Sequence, residues 1–101
     1  MIHHIVLYKL RDVADAPELS QTLTSLARIA GVHALQCGKN TSPLGLSGSW
    51  DFALHVQLAD ATALEQYMAD PRHLSAASTV ERLTKDLIVV DIAAGQGEKG
   101  A

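Results

Sequence analysis

Tyr67 and His73 are the residues whose types and spacing best suit chemistry. A histidine titrating near neutrality can take a proton from the carbon beside a carbonyl. A phenol can hold the oxyanion that results. On an unbroken helix their separation would set them on different sides. Pro71 lies between them, and a proline is expected to stop the helix there. The chain can then fold back and bring ring and hydroxyl together. A plainer arrangement has His73 bonding backbone at the turn while Tyr67 fills the core. His4 is the third candidate. Strand parity points it with Val6 and Tyr8 toward the helices, where a histidine must be hydrogen-bonded or border a cavity.

Other chemistry-bearing residues carry less. His3 and His4 are adjacent, so they point to opposite faces and cannot hold one ion together. His3 and His55 share the face away from the helices, where a metal at a dimer interior is conceivable. Two histidines with no third ligand make a poor zinc site. No metal is therefore assigned, and polar filling of the interior is the expected role. Cys37 would need a neighbouring base or positive charge to act as a nucleophile; by default it is a small buried hydrophobe. His33, at a strand start, reads as a surface residue. Arg72, Arg82 and Lys85 read as a solvated face.

The elements that must position these groups follow from periodicity. Ile2 to Leu10 alternates, and both of its faces are largely apolar. A single helix layer covers one face only, so the other is expected to meet another subunit. Residues 15–30 predict a helix, with Asp15 as N-cap, Pro17 in the first turn and Leu19, Leu23, Leu26 and Ala30 inward. Gly31 suits the position after its end. A second strand is predicted over Val32–Asn40 and a loop over Thr41–Gly48. Trp50–Leu58 is the clearest strand, with Trp50, Phe52, Leu54, Val56 and Leu58 facing the helices. Asp60 should cap a helix to about Ala69, with Ala61, Leu64 and Met68 inward and Pro71 as its stop. A partly helical stretch follows over Ser75–Lys85, anchored by Val80 and Leu83, then a last strand over Leu87–Ala93. The order β-α-β-β-α-β is the ferredoxin-like arrangement, an α+β fold with an antiparallel four-stranded sheet. Residues 2–94 form one domain on this reading, and 95–101 a flexible C-terminal tail.

Composition narrows the function classes. The 101 residues are 48% hydrophobic and 19% charged, the balance of a globular domain. A net charge of −3 and 4% aromatics argue against nucleic-acid binding. No apolar run reaches the roughly 20 residues that span a bilayer. With no recognisable signal peptide and one unpaired cysteine, a cytoplasmic protein is expected.

Several segments together resemble the stress-responsive A/B-barrel (Dabb) family. They are His4-Ile5-Val6-Leu7-Tyr8-Lys9, Gly38-Lys39-Asn40, Trp50-Asp51-Phe52-Ala53-Leu54, Tyr67-Met68-Ala69-Asp70-Pro71-Arg72-His73 and Val90-Asp91. The resemblance spans roughly residues 2 to 92. It implies a dimeric α+β barrel, in which the sheets of two copies pack face to face with helices outside. Most members have no known activity. The family's olivetolic acid cyclase branch closes a linear polyketide by aldol condensation in a site between sheet and helices. It does so with residues matching His73 and Tyr67, and a further histidine matching His4. Phe52 stands where that branch carries a pocket histidine, which makes the pocket here less polar.

The expected function is thus cofactor-free acid–base catalysis on, or binding of, a small apolar carbonyl ligand. His73 would be the acid–base group, Tyr67 a hydrogen-bond donor and His4 an orienting group. Phe52, Leu54, Val6 and Tyr8 would line the pocket. Two alternatives stand beside it: a non-catalytic stress-response or structural homodimer with a filled pocket, and a monooxygenase-like role by analogy of fold.

Overall fold

A computed structural model describes residues 1–42, 48 and 50–94. The predicted loop over Thr41–Gly48 lies mostly outside them, and the tail over 95–101 lies wholly outside. The elements are β1 (Ile2–Leu10), α1 (Ala16–Thr24), β2 (Val32–Lys39), β3 (Phe52–Leu58), α2 (Ala61–Ala69), α3 (Pro71–Leu83) and β4 (Thr84–Ala93). Short 3-10 turns over Val13–Asp15 and Ser25–Arg28 flank α1. The four strands form one antiparallel sheet in the order β2-β3-β1-β4, with the helices on one side. This is the ferredoxin-like α+β fold.

Alternation in β1 works as its sequence implies. His4, Val6, Tyr8 and Leu10 are buried toward the helices, while Ile5 and Leu7 are half-buried on the other face. The register places His4 opposite Val56 on β3 and Asp91 on β4. The same count puts His3, Ile5 and Leu7 beside Ile92, Val90 and Ile88 on the outer face. The core is built from β1, β3 and the inner stripes of the helices, with Leu19, Leu23, Leu58, Tyr67 and Leu83 among its most enclosed members.

Several local expectations are corrected. The helix over 15–30 is divided: α1 is nine residues long and the chain leaves it through a 3-10 turn. That tighter turn shifts the phase, so Ile29 is buried and Ala30 is exposed. Asp15 precedes α1 but makes no side-chain cap, whereas Asp12 accepts from the Ala14 N–H and caps the preceding turn. Gly31 has φ of 91°, and a Cβ there would sit 3.2 Å from the Ala63 Cβ, so both backbone and space call for glycine. Trp50 lies before β3, with the Lys9 ammonium 4.7 Å from its ring centroid.

In α2 the inward stripe is Ala63 and Tyr67, an i, i+4 pair. Ala61 and Met68 are exposed and Leu64 is half-buried. Pro71 does not simply stop a helix; it begins the next one. Asp70 accepts from the Arg72 N–H as N-cap, and Pro71 occupies the first turn of α3, where no N–H is needed. Helix α3 therefore starts four residues before the expected Ser75, and β4 begins at Thr84. Val80 and Leu83 anchor α3 as expected. Arg82 pairs with Glu18 on α1 at 2.5 Å on an exposed face.

Candidate active site

A cavity of about 640 Å³ opens between the sheet and α3. Its size falls within the range of small-molecule sites. Val6, Leu23, Leu26, Leu54 and Val80 give it an aliphatic wall, and His4, Tyr67 and His73 supply polar groups. Leu87 and Val89 on the helix-facing side of β4 border the opening. They are exposed because β4 is an edge strand that the helix layer leaves uncovered.

Each polar group is held by a different element. Tyr67 sits on the last turns of α2 and is fully enclosed. His73 is the third residue of α3, so the Asp70–Pro71 junction aims it back toward α2. The Tyr67 and His73 rings meet edge to face with centroids 4.9 Å apart. They do not hydrogen-bond each other. The Tyr67 hydroxyl and His73 Nδ1 are both buried with no hydrogen-bond partner among the described residues. Tyr67 fills the core and the Met68 backbone acts on His73, as in the plainer arrangement, and the two unpartnered atoms stand beside those contacts at a free-energy cost.

His4 comes from the middle of the sheet. Its Nδ1 donates to Asp91 at 2.6 Å, a contact between β1 and β4. A carboxylate only accepts, so the proton sits on Nδ1 and Nε2 is the second functional nitrogen. No described residue bonds that Nε2. The His4 ring lies edge-on to Tyr67 with centroids 5.7 Å apart. Three rings from β1, α2 and α3 thus form one contiguous group, with Asp91 behind the first.

Burial shapes the protonation of this group. It pushes the Tyr67 phenol up to about 12, so the hydroxyl keeps its proton and is available as a donor. Burial also raises the neighbouring Tyr8 phenol, with Tyr67 and Cys37 adding to the effect. His73 is lowered, first by burial and then by the charge of His4; Asp70 and the Met68 backbone oppose the shift. A neutral imidazole next to a protonated phenol is a base beside an oxyanion donor.

The other expected site residues are sorted by the fold. Val6, Tyr8 and Leu54 line the cavity. Phe52 is buried in the core and does not border it. Asp91 had no assigned role beyond ending the last strand, since its contact with His4 spans 87 residues and depends on which strands pair. The α3 wall was missed with the start of that helix. On the outer face His3 Nδ1 and His55 Nε2 lie 2.8 Å apart with stacked rings. No group of three or more metal-ligating side chains occurs among the described residues. Cys37 is half-buried, with its thiol beside the Ser20 and Thr24 hydroxyls. No helix among the described residues is long and apolar enough to cross a membrane.

Comparison with solved structures finds the same fold repeatedly. An Arabidopsis thaliana protein aligns with a TM-score of 0.87 at 20% identity, covering 98% of this chain and 100% of its own. A dimeric ferredoxin-like protein of unknown function from Jannaschia aligns at 0.81 and 21% identity, covering 92% and 98%. The hydroxynitrile lyase of Passiflora edulis aligns at 0.83 and 12% identity, covering 97% and 96%. At these identities the likeness is one of fold. No protein of curated function matches. The Stress responsive A/B Barrel Domain pattern matches residues 2–94, almost the whole chain, and the chain belongs to that Dabb family.

Proposed function

We propose that this domain, over residues 2–94, is a cofactor-free acid–base catalyst for a small apolar carbonyl compound. The observation that carries the reading is the pair of buried, unpartnered atoms, Tyr67 Oη and His73 Nδ1, on two residues lining the same open cavity. Neutral His73 takes a proton from the carbon beside the carbonyl. The Tyr67 hydroxyl donates to the oxygen where charge develops. The aliphatic wall admits an apolar body and limits water. That a structural relative is a hydroxynitrile lyase supports lyase-type chemistry on this scaffold.

The working form is a homodimer closed through the outer sheet face, in the cytoplasm. Ile88, Val90 and Ile92 stand 43%, 47% and 45% exposed there, beside Ile5 and Leu7. A row of this kind on a monomer marks an interface. Relatives described as dimeric support the same arrangement.

The test is binding and turnover of carbonyl ligands by wild type and His73→Ala. Loss of turnover with the fold intact is expected. Unchanged binding and turnover in the variant would end this reading.

A further inference from the structure

The outer face of the sheet carries two histidines that the cavity does not use. His3 on β1 and His55 on β3 are both half-buried. Their Nδ1 and Nε2 atoms, respectively, lie 2.8 Å apart, and the stacked rings have centroids 5.0 Å apart. That contact occupies one nitrogen of each ring. His3 Nε2 and His55 Nδ1 have no bond among the described residues. The pair adjoins the middle of the apolar patch. One rung of the sheet runs from Val90 through Ile5 to His55, with Ile88, Leu7 and Ile92 around it. The charged strand residues of this face, Lys9 and Asp86, stand opposite each other at the far end of β1.

Resting on the homodimer proposed above, we infer that the His3–His55 pairs of two copies form one transition-metal site at the centre of the dimer. A contact between identical faces has its two-fold axis through the middle of the patch. His55 stands one strand from Ile5, about 4.8 Å, and facing sheets pack about 10 Å apart. Imidazoles from the two sheets therefore meet between them. Each copy supplies two ligands. The described residues of one chain hold no group of three, so the site is incomplete without the second copy.

The ligand set selects the ion. Four neutral imidazoles without a carboxylate suit zinc, nickel or copper(II); magnesium and calcium take oxygen ligands. At about 2.0–2.1 Å from a tetrahedral zinc, two ligand nitrogens stand about 3.3–3.4 Å apart. The pair needs to open by only about half an ångström from its 2.8 Å contact. The ion takes the place of the proton between the rings, which moves to the far nitrogen of its own ring. The far N–H groups then need acceptors that fix the rings. Gln57 opposite His3 and Gln36 opposite His55 offer amide oxygens on the same face.

The experiment titrates zinc chloride by calorimetry into the full-length protein, first stripped with a chelator, with sedimentation before and after. Wild type should bind one zinc per two chains. His3→Gln and His55→Gln should each weaken binding by more than about 100-fold, the upper range for loss of even an outer contact to a ligand. Either variant serves if the other fails to fold. His33→Gln, at an exposed histidine of β2, should leave binding unchanged. Val90→Lys should lose zinc together with the dimer. A monomer that zinc converts to a dimer also supports the site. No binding by a dimeric wild type, one zinc per chain, or binding that survives His3→Gln or His55→Gln overturns the metal site and leaves the homodimer standing. A wild type that sediments as a monomer with and without zinc overturns the homodimer, and the shared site with it.

Discussion

The Tyr67 and His73 rings touch edge to face at 4.9 Å, yet the hydroxyl of one and Nδ1 of the other are both buried without a hydrogen bond among the described residues. Folding alone does not reward this arrangement. Replacing an unpaired buried hydroxyl with hydrogen removes a desolvation cost of about 1–3 kcal/mol. Tyr67→Phe should therefore unfold at equal or higher denaturant concentration than wild type while losing carbonyl turnover. Chemical denaturation beside an activity assay checks both. A clear loss of stability would show that the hydroxyl has a structural partner.

The lowered pKa of His73 makes a prediction about pH and stability. Burial disfavours its charged form in the folded state, while the unfolded chain titrates near the ordinary value of about 6.5. Between the folded value and that ordinary one, the unfolded state binds more protons. The stability held above pH of about 6.5 is thus lost as pH falls through the folded value. Denaturation midpoints measured between neutrality and mild acid should show the decline, and His73→Gln should flatten it. An equal slope in the variant would place the cause elsewhere.

Much of the frame was legible in the sequence because period-2 alternation is a strong signal. His4, Val6 and Tyr8 were placed on the helix face of β1 by counting alone, and the outer face bearing His3 and Ile5 likewise. The short helix α2 was harder. Its apolar residues do not fall on one narrow stripe, so Ala63 and Tyr67 were passed over for Ala61, Leu64 and Met68. Pro71 has two meanings in a sequence, since the same ring that ends one helix pre-sets the first turn of the next. As a stop alone, Pro71 gives no sign of the early part of α3 or of the wall that helix lends the cavity. The His4–Asp91 bond was illegible for another reason: it joins the first and last strands, and only pairing reveals it.

That bond supports the fold as well as the site. His4 is 3% exposed, and removing its acceptor leaves a buried donor unpaired. Asp91→Asn should keep much of the contact as a weaker neutral bond. Asp91→Ala should cost about 1–3 kcal/mol, the range for leaving a buried donor without its acceptor. Denaturant titration of the two variants side by side checks the ordering. Equal stability of Asp91→Ala and wild type would make the contact energetically idle.

The outer face gives a prediction about assembly. Val90→Lys places a charge at the centre of the apolar row formed with Ile88, Ile92, Ile5 and Leu7. Sedimentation at micromolar concentration should show a dimer for wild type and a mass near the 10.8 kDa monomer for the variant, with the circular dichroism of a folded domain. A wild-type mass already at the monomer value would contradict the dimer.

The most direct test of the central claim is whether the cavity takes a proton from carbon. Proton–deuterium exchange at the α-carbon of a dialkyl β-diketone, followed by NMR in deuterated buffer, reads that step alone. The account predicts exchange well above the buffer rate with wild type, falling by about 100-fold in His73→Ala, as for loss of a general base. It also predicts a large fall in Tyr67→Phe. Exchange at the buffer rate with wild type, or acceleration that survives both substitutions, would contradict it.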